Sequence, residues 1–215
     1  TLKAAELWLG VHGTARGGSI ELTKVKQAGE VSVQDARLAL AEINGPFRVE
    51  SDADVQFRDM QSALEVATFG AAVRGRVNKG ATRIVADGGT VFLEDLSGPL
   101  DVRGNGLRVQ ATGLSAESIF RLSGSEVMLA KPSAAVDVET DVGEVVIEGP
   151  TAAGKVVSRG GDVQAWAGTR AVSAWRLPTE LPAQLDLTAD ATITLFAIAA
   201  ALGVGTMGDI RPGRF

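Results

Sequence analysis

Between Val55 and Ala174 an apolar pair, its members separated by one usually polar residue, returns at nearly every ninth position. The series runs Val55/Phe57, Leu64/Val66, Val73/Gly75, Thr82/Ile84, Val91/Leu93, Leu100/Val102, Val109/Ala111, Ser118/Phe120, Val127/Leu129, Val136/Val138, Val145/Ile147, Gly154/Val156, Val163/Ala165 and Val172/Ala174. A period of two puts both members of a pair on one side of a strand and the residue between them on the other. The residues in between include Gln56, Glu65, Arg74, Arg83, Asp101, Gln110, Asp137 and Lys155, which are costly to bury without partners, so the pairs face inward. Turn formers such as Gly88-Gly89, Ser97-Gly98-Pro99 and Gly104-Asn105-Gly106 separate the strands.

One such unit cannot bury its own apolar face, so the units must stack, and a chain that winds as it stacks is an all-β single-stranded β-helix, or β-solenoid. The number of units per coil is open to two readings. The triplets Ser125-Glu126-Val127, Gly143-Glu144-Val145 and Gly161-Asp162-Val163 recur at 18 residues, which favours two units per coil. Sorting of the outward residues favours three: at 27 residues per coil Phe92, Ile119 and Val146 fall into one column, and Gln56, Arg83, Gln110, Asp137 and Gln164 into a polar one. Because a solvated exterior should sort by face, the three-sided coil is the expectation.

The 215 residues suit a single domain over 1–215: irregular first coils over 1–50, the regular repeat over 51–175, and a C-terminal capping segment over 176–215. Leu7, Leu9 and Val11, then Ile20 and Leu22, alternate as strands of the irregular start. The run Ile193 to Val204 is too short to span a membrane as a helix and reads as a short helix or a last strand closing the core. No transmembrane segment is expected.

Composition narrows the function classes. A net charge of −5 with interspersed signs gives no basic face for nucleic acid. Zero cysteines exclude disulfides, thiolate metal sites and a cysteine nucleophile. His12, the single histidine, lies in Gly10-Val11-His12-Gly13 and would have to carry any Ser-His-Asp chemistry alone. Gly160-Gly161-Asp162 resembles one piece of the calcium-binding nonapeptide of repeats-in-toxin proteins but lacks its second half, and calcium needs six to eight oxygens. No cofactor and no metal is expected.

Asp137, Glu139 and Asp141 alternate along one strand, and Glu94 with Asp95 closes another. A polysaccharide-cleaving β-helix would show such acids in a groove, but alternating acids are more simply a solvated face. With no tyrosine and only Trp8, Trp166 and Trp175, platforms for stacking sugars are few.

The segments AAVDVETDVGEVVIEG from Ala134 and VVSRGGDVQAWAG from Val156 resemble the bacterial putative adhesin domains, including the autotransporter adhesin head domain, over roughly residues 85–175. The resemblance implies a right-handed β-helix, an exported or cell-surface setting and no enzyme activity, and it transfers no functional residue. The resulting expectation is a structural or surface scaffold that acts through another protein or through itself, as a homo-oligomer or filament. A cytoplasmic scaffold is the alternative address, and a carbohydrate-active enzyme or glycan-binding module the alternative function. Phe92, Ile119 and Val146 are the candidate partner-docking residues, as an apolar ladder that either a partner or the Ile193 to Leu202 segment would cover.

Overall fold

Inward apolar residues alternating with outward polar ones, interrupted by glycine, favour short extended strands. The computed structural model describes residues 1–150, 152, 154–166, 185–189 and 193–195, and among these there are seventeen strands and no helix. In chain order they are β1 (Leu2–Ala5), β2 (Val11–Thr23), β3 (Gly29–Ala41), β4 (Phe47–Ser51), β5 (Val55–Met60) and β6 (Leu64–Phe69). Then come β7 (Ala72–Asn78), β8 (Thr82–Leu96), β9 (Leu100–Thr112), β10 (Ser118–Ser123), β11 (Ser125–Ala130) and β12 (Val136–Thr140). The last are β13 (Gly143–Glu148), β14 (Gly154–Ser158), β15 (Asp162–Trp166), β16 (Leu185–Ala189) and β17 (Ile193–Leu195).

All of these strands pair in parallel, and over most of the stack the partners are 18 residues apart, so each coil carries two strands and the fold is a β-solenoid. On the first face Val55, Val73, Val91, Val109, Val127, Val145 and Val163 lie one above another. On the second face the corresponding column is Leu64, Thr82, Leu100, Ser118, Val136 and Gly154. Valines and leucines from both faces meet in one core that runs from Ile20 to Val163.

This register corrects the three-sided expectation, because Val91 stacks on Val109 and Val127 rather than on Ser118. The physical reason lies at the corners, which are of two kinds. Where the chain leaves the first face it passes through a residue of positive φ (Glu6, Lys24, Glu42, Asp59, Val77, Asp95, Gly113, Lys131 and Gly149, between 50° and 68°). The next residue then turns into the core: Val25, Ile43, Met60, Asn78, Leu96 and Leu114 are all buried. At the same distance past the second-face pairs stand exposed Phe69, Asp87, Asn105 and Asp141. A step of 27 would lay Met60 over Asp87 and Asp87 over Leu114, whereas 18 lays like over like.

One coil is shorter. Leu38 pairs with Val55 and Phe47 with Leu64, a step of 17, and the missing residue falls in the corner at Asp52 to Asp54. There side chains supply the acceptors: the Asp35 amide donates to Asp52 Oδ1 at 2.7 Å, and the Ala72 amide to Asp54 Oδ1 at 3.2 Å.

The stack begins earlier than the sequence suggests. Leu2 pairs with Ile20 and Val11 with Gly29, so residues expected to form irregular coils already keep the 18-residue register. At the other end Leu185 pairs with Gly154 across a step of 31, and Ile193 with Val163 across 30, so the expected capping segment contributes two further rungs. The pair Val172/Ala174 and the rest of the apolar run, from Phe196 on, lie outside the described residues.

Candidate functional site

The expected ladder of Phe92, Ile119 and Val146 does not form, because it required the three-sided coil. Phe92 and Val146 share an outward column of the first face but are separated in it by Gln110 and Met128. Ile119 is on the second face, between Asp101 and Asp137. Phe92 is half-buried with the Arg74 guanidinium 5.5 Å from its ring centre, Val146 is 9% exposed, and Met128, not singled out by the sequence, is 48% exposed.

The remaining candidates are dispersed along the stack. His12 is exposed on the second face beside Glu30. Glu139 sits 4.0 Å from Arg121 and 3.9 Å from Arg159, and Asp141 accepts a hydrogen bond from Arg159 at 3.0 Å, so two of the three alternating acids are held by arginines. Glu94 pairs with Arg76 at 3.4 Å, and Asp95 is a corner residue of positive φ. Gly161 of the Gly-Gly-Asp turn takes φ 103°, and among the described residues no group of three or more histidines or carboxylates converges to hold a metal ion. Trp8 is 74% exposed under the Lys26 ammonium, 5.9 Å from its ring centre, while Trp166 ends β15 in register with Glu148 and Trp175 lies outside the described residues.

The sequence reading missed an open groove of about 620 Å3 that runs up the second face across several coils, although His12 and Ile119 line it. Its floor is built by the residue preceding each second-face strand pair: Ala28, Pro46, Ala63, Ala81 and Pro99, small or cyclic and all exposed. Its wall is the next outward column, His12, Glu30, Arg48, Glu65, Arg83, Asp101 and Ile119, one residue per coil and alternating in sign from Glu30 to Asp101. Short side chains before long ones, repeated in register, make a trough. The signal is present in the sequence as a small residue before each pair, but it becomes a groove only at the 18-residue register.

The alternation is only partly used within the chain. Arg48 lies 3.8 Å from Glu30 and bonds Glu50 at 3.0 Å, and Asp101 is gripped by Arg103 at 2.9 Å, a contact that holds the Arg103 guanidinium pKa above its ordinary value. Glu65 and Arg83 make no ion pair and no side-chain hydrogen bond among the described residues. Farther along the same face, the outward positions after Glu65 and Arg83 are Ala67 and Val85, and Phe69 at the strand end is 70% exposed.

A smaller depression of about 330 Å3 on the first face is lined by Ala39, Arg58, Arg74, Arg76, Phe92 and Glu94. Elsewhere charge mostly ties coil to coil: ten of the twelve ion pairs among the described residues join neighbouring coils, as Lys3–Glu21 at 2.7 Å and Arg108–Glu126 at 2.7 Å do. The hydrogen bond from Lys3 draws the Glu21 carboxyl below its usual range and raises the Lys3 ammonium. Comparison of the chain with family models, with curated proteins and with solved structures finds no match.

Proposed function

We propose that this protein is a non-enzymatic scaffold, adhesin-like in design, that acts by presenting its two faces to another protein or to a second copy of itself. The observation that carries the reading is the use of surface charge: of the three acids grouped along one strand, Glu139 is held by Arg121 and Arg159 of the coils on either side, and Asp141 by Arg159. Each exposed pair is weak alone, but repeated in register they hold flat faces on a stack with a continuous core. Such a body offers area and rigidity rather than a reaction centre. The setting that fits the resemblance is an exported or cell-surface one, with a cytoplasmic scaffold as the alternative.

A second reading, a glycan-binding module, is favoured by Arg58, Arg74 and Arg76 beside the half-buried Phe92, a set suited to an acidic sugar. Two measurements on the full chain test these readings together. A polysaccharide turnover screen should show no hydrolysis, and a glycan array should show no binding that Arg74→Ala removes. Turnover would overturn the scaffold reading, and Arg74-dependent capture of uronic acid or sulfated glycans would replace it with the second.

A further inference from the structure

We propose that the second face is a homodimer interface: two copies dock ladder to ladder, solenoid axes antiparallel, about a two-fold axis that runs along the strands between the Glu65 and Arg83 coils. The proposal rests on the scaffold reading and names the partner as a second copy of this chain.

The argument is one of parity. A two-fold axis along the strand direction leaves each outward column facing itself and reverses the order of its rungs. Between His12 and Ile119 the wall column reads Glu30, Arg48, Glu65, Arg83, Asp101. Reversed about a point between Glu65 and Arg83, it sets Glu65 against Arg83 of the second copy and Arg48 against Asp101, each twice by symmetry. An axis through a rung instead sets acid against acid and arginine against arginine throughout. Neighbouring rungs are about 4.8 Å apart, so a slip of one rung between the copies, which moves the axis by half that distance, changes attraction into repulsion and fixes register as well as partner.

Three observations select this axis. Among the described residues Glu65 and Arg83 are the two acidic or basic residues of the wall that make no ion pair, although they are neighbours in one column. The floor beside them, Ala63 and Ala81, carries no side chain beyond Cβ, so a second surface can approach closely. The same coils carry Ala67 and Val85 in the next outward column and exposed Phe69 at the strand end, so the symmetry that pairs the charges also lays Ala67 over Val85 of the second copy. Polar wall, small floor and a flanking apolar strip together give the mixed composition of a specific interface.

The test uses charge reversal read by sedimentation velocity and light scattering at 1–100 µM, quantities set by the usual micromolar range of such contacts. The parent is expected to dimerise. Glu65→Arg and Arg83→Glu should each weaken the dimer at least about tenfold, because each sets like charges together twice. The double variant Glu65→Arg/Arg83→Glu should dimerise again, and an equimolar mixture of the two single variants should form a heterodimer. Unchanged circular dichroism melts exclude misfolding, and Arg76→Glu on the first face should leave the dimer intact. A parent that stays monomeric at 100 µM, single reversals that leave the dimer unchanged, or a folded double variant that stays monomeric would each overturn the proposal. None of these results bears on polysaccharide turnover or glycan capture, on which the scaffold reading itself stands or fails.

Discussion

The ring of Phe57 occupies the space where a side chain at residue 75 would go: Gly75 pairs directly with Phe57 in an inward column of the first face, and a Cβ on Gly75 would collide with the ring's Cζ and Cε atoms. Glycine here supplies room rather than a special backbone angle, and the neighbouring coils share one volume between a large residue and none.

Gly75→Ala is therefore expected to destabilise the protein by about 1–3 kcal/mol through overpacking. Adding Phe57→Leu to that variant should recover part of the loss, since the two sites share one space and cannot be additive. Chemical denaturation of the two single variants and the double variant measures this, and strict additivity would contradict the shared volume.

Inward and outward assignments make a second prediction. Val138 and Ile147 are buried, and truncating either to alanine should cost about 1–4 kcal/mol in lost transfer energy and residual cavity. Asp137, outward in the same strand as Val138, should tolerate alanine with a change below about 0.5 kcal/mol. The same unfolding experiment reads all three, and equal large losses would mean the faces are misassigned.

The corner column offers a stabilising substitution. Val77 takes φ 50° at a position where Gly113 and Gly149 stand in other coils, and a β-branched residue there carries backbone strain of about 1–3 kcal/mol. Glycine loses about 0.5–1 kcal/mol more chain entropy on folding, so the relief exceeds the cost. Val77→Gly should raise the melting temperature by a few degrees, and calorimetry showing a fall would contradict the strain.

Among the described residues Asn78 is the one polar side chain in a buried corner column that also holds Val25, Ile43, Met60, Leu96 and Leu114. Its amide donates to Thr82 Oγ1, and its Oδ1 accepts the Gly80 amide at 3.0 Å, which binds the corner to the strand that follows. Asn78→Leu should cost about 1–3 kcal/mol by leaving those groups unpaired, and Asn78→Leu/Thr82→Val should cost less than Asn78→Leu alone. Equilibrium unfolding checks the order of the three proteins.

Much of this fold was legible before any coordinates. The nine-residue beat identified strands and their inward sides, and each described pair from Val55/Phe57 to Val145/Ile147 is buried. A clue to coil size was also present, in the residue three after each pair: Met60, Leu96 and Leu114 against Asp87 and Asn105 give an 18-residue alternation, which Phe69 and Asn78 interrupt. The outward residues were the weaker guide, because solvent accepts almost any mixture on an exposed face, while a corner turned into the core accepts only what can be buried.

The sequence by itself determined that the chain stacks, since alternation along a strand is a local property and an unburied apolar face leaves no other outcome. Which residues share a surface was decided only by the tertiary structure. Phe92, Ile119 and Val146 share spacing but are divided between two faces, while Glu65 and Arg83, 18 residues apart, become neighbours on the wall of one groove. Contact across coils depends on the length of one full turn, and that length is set by the sum of two unlike corners rather than by any single strand.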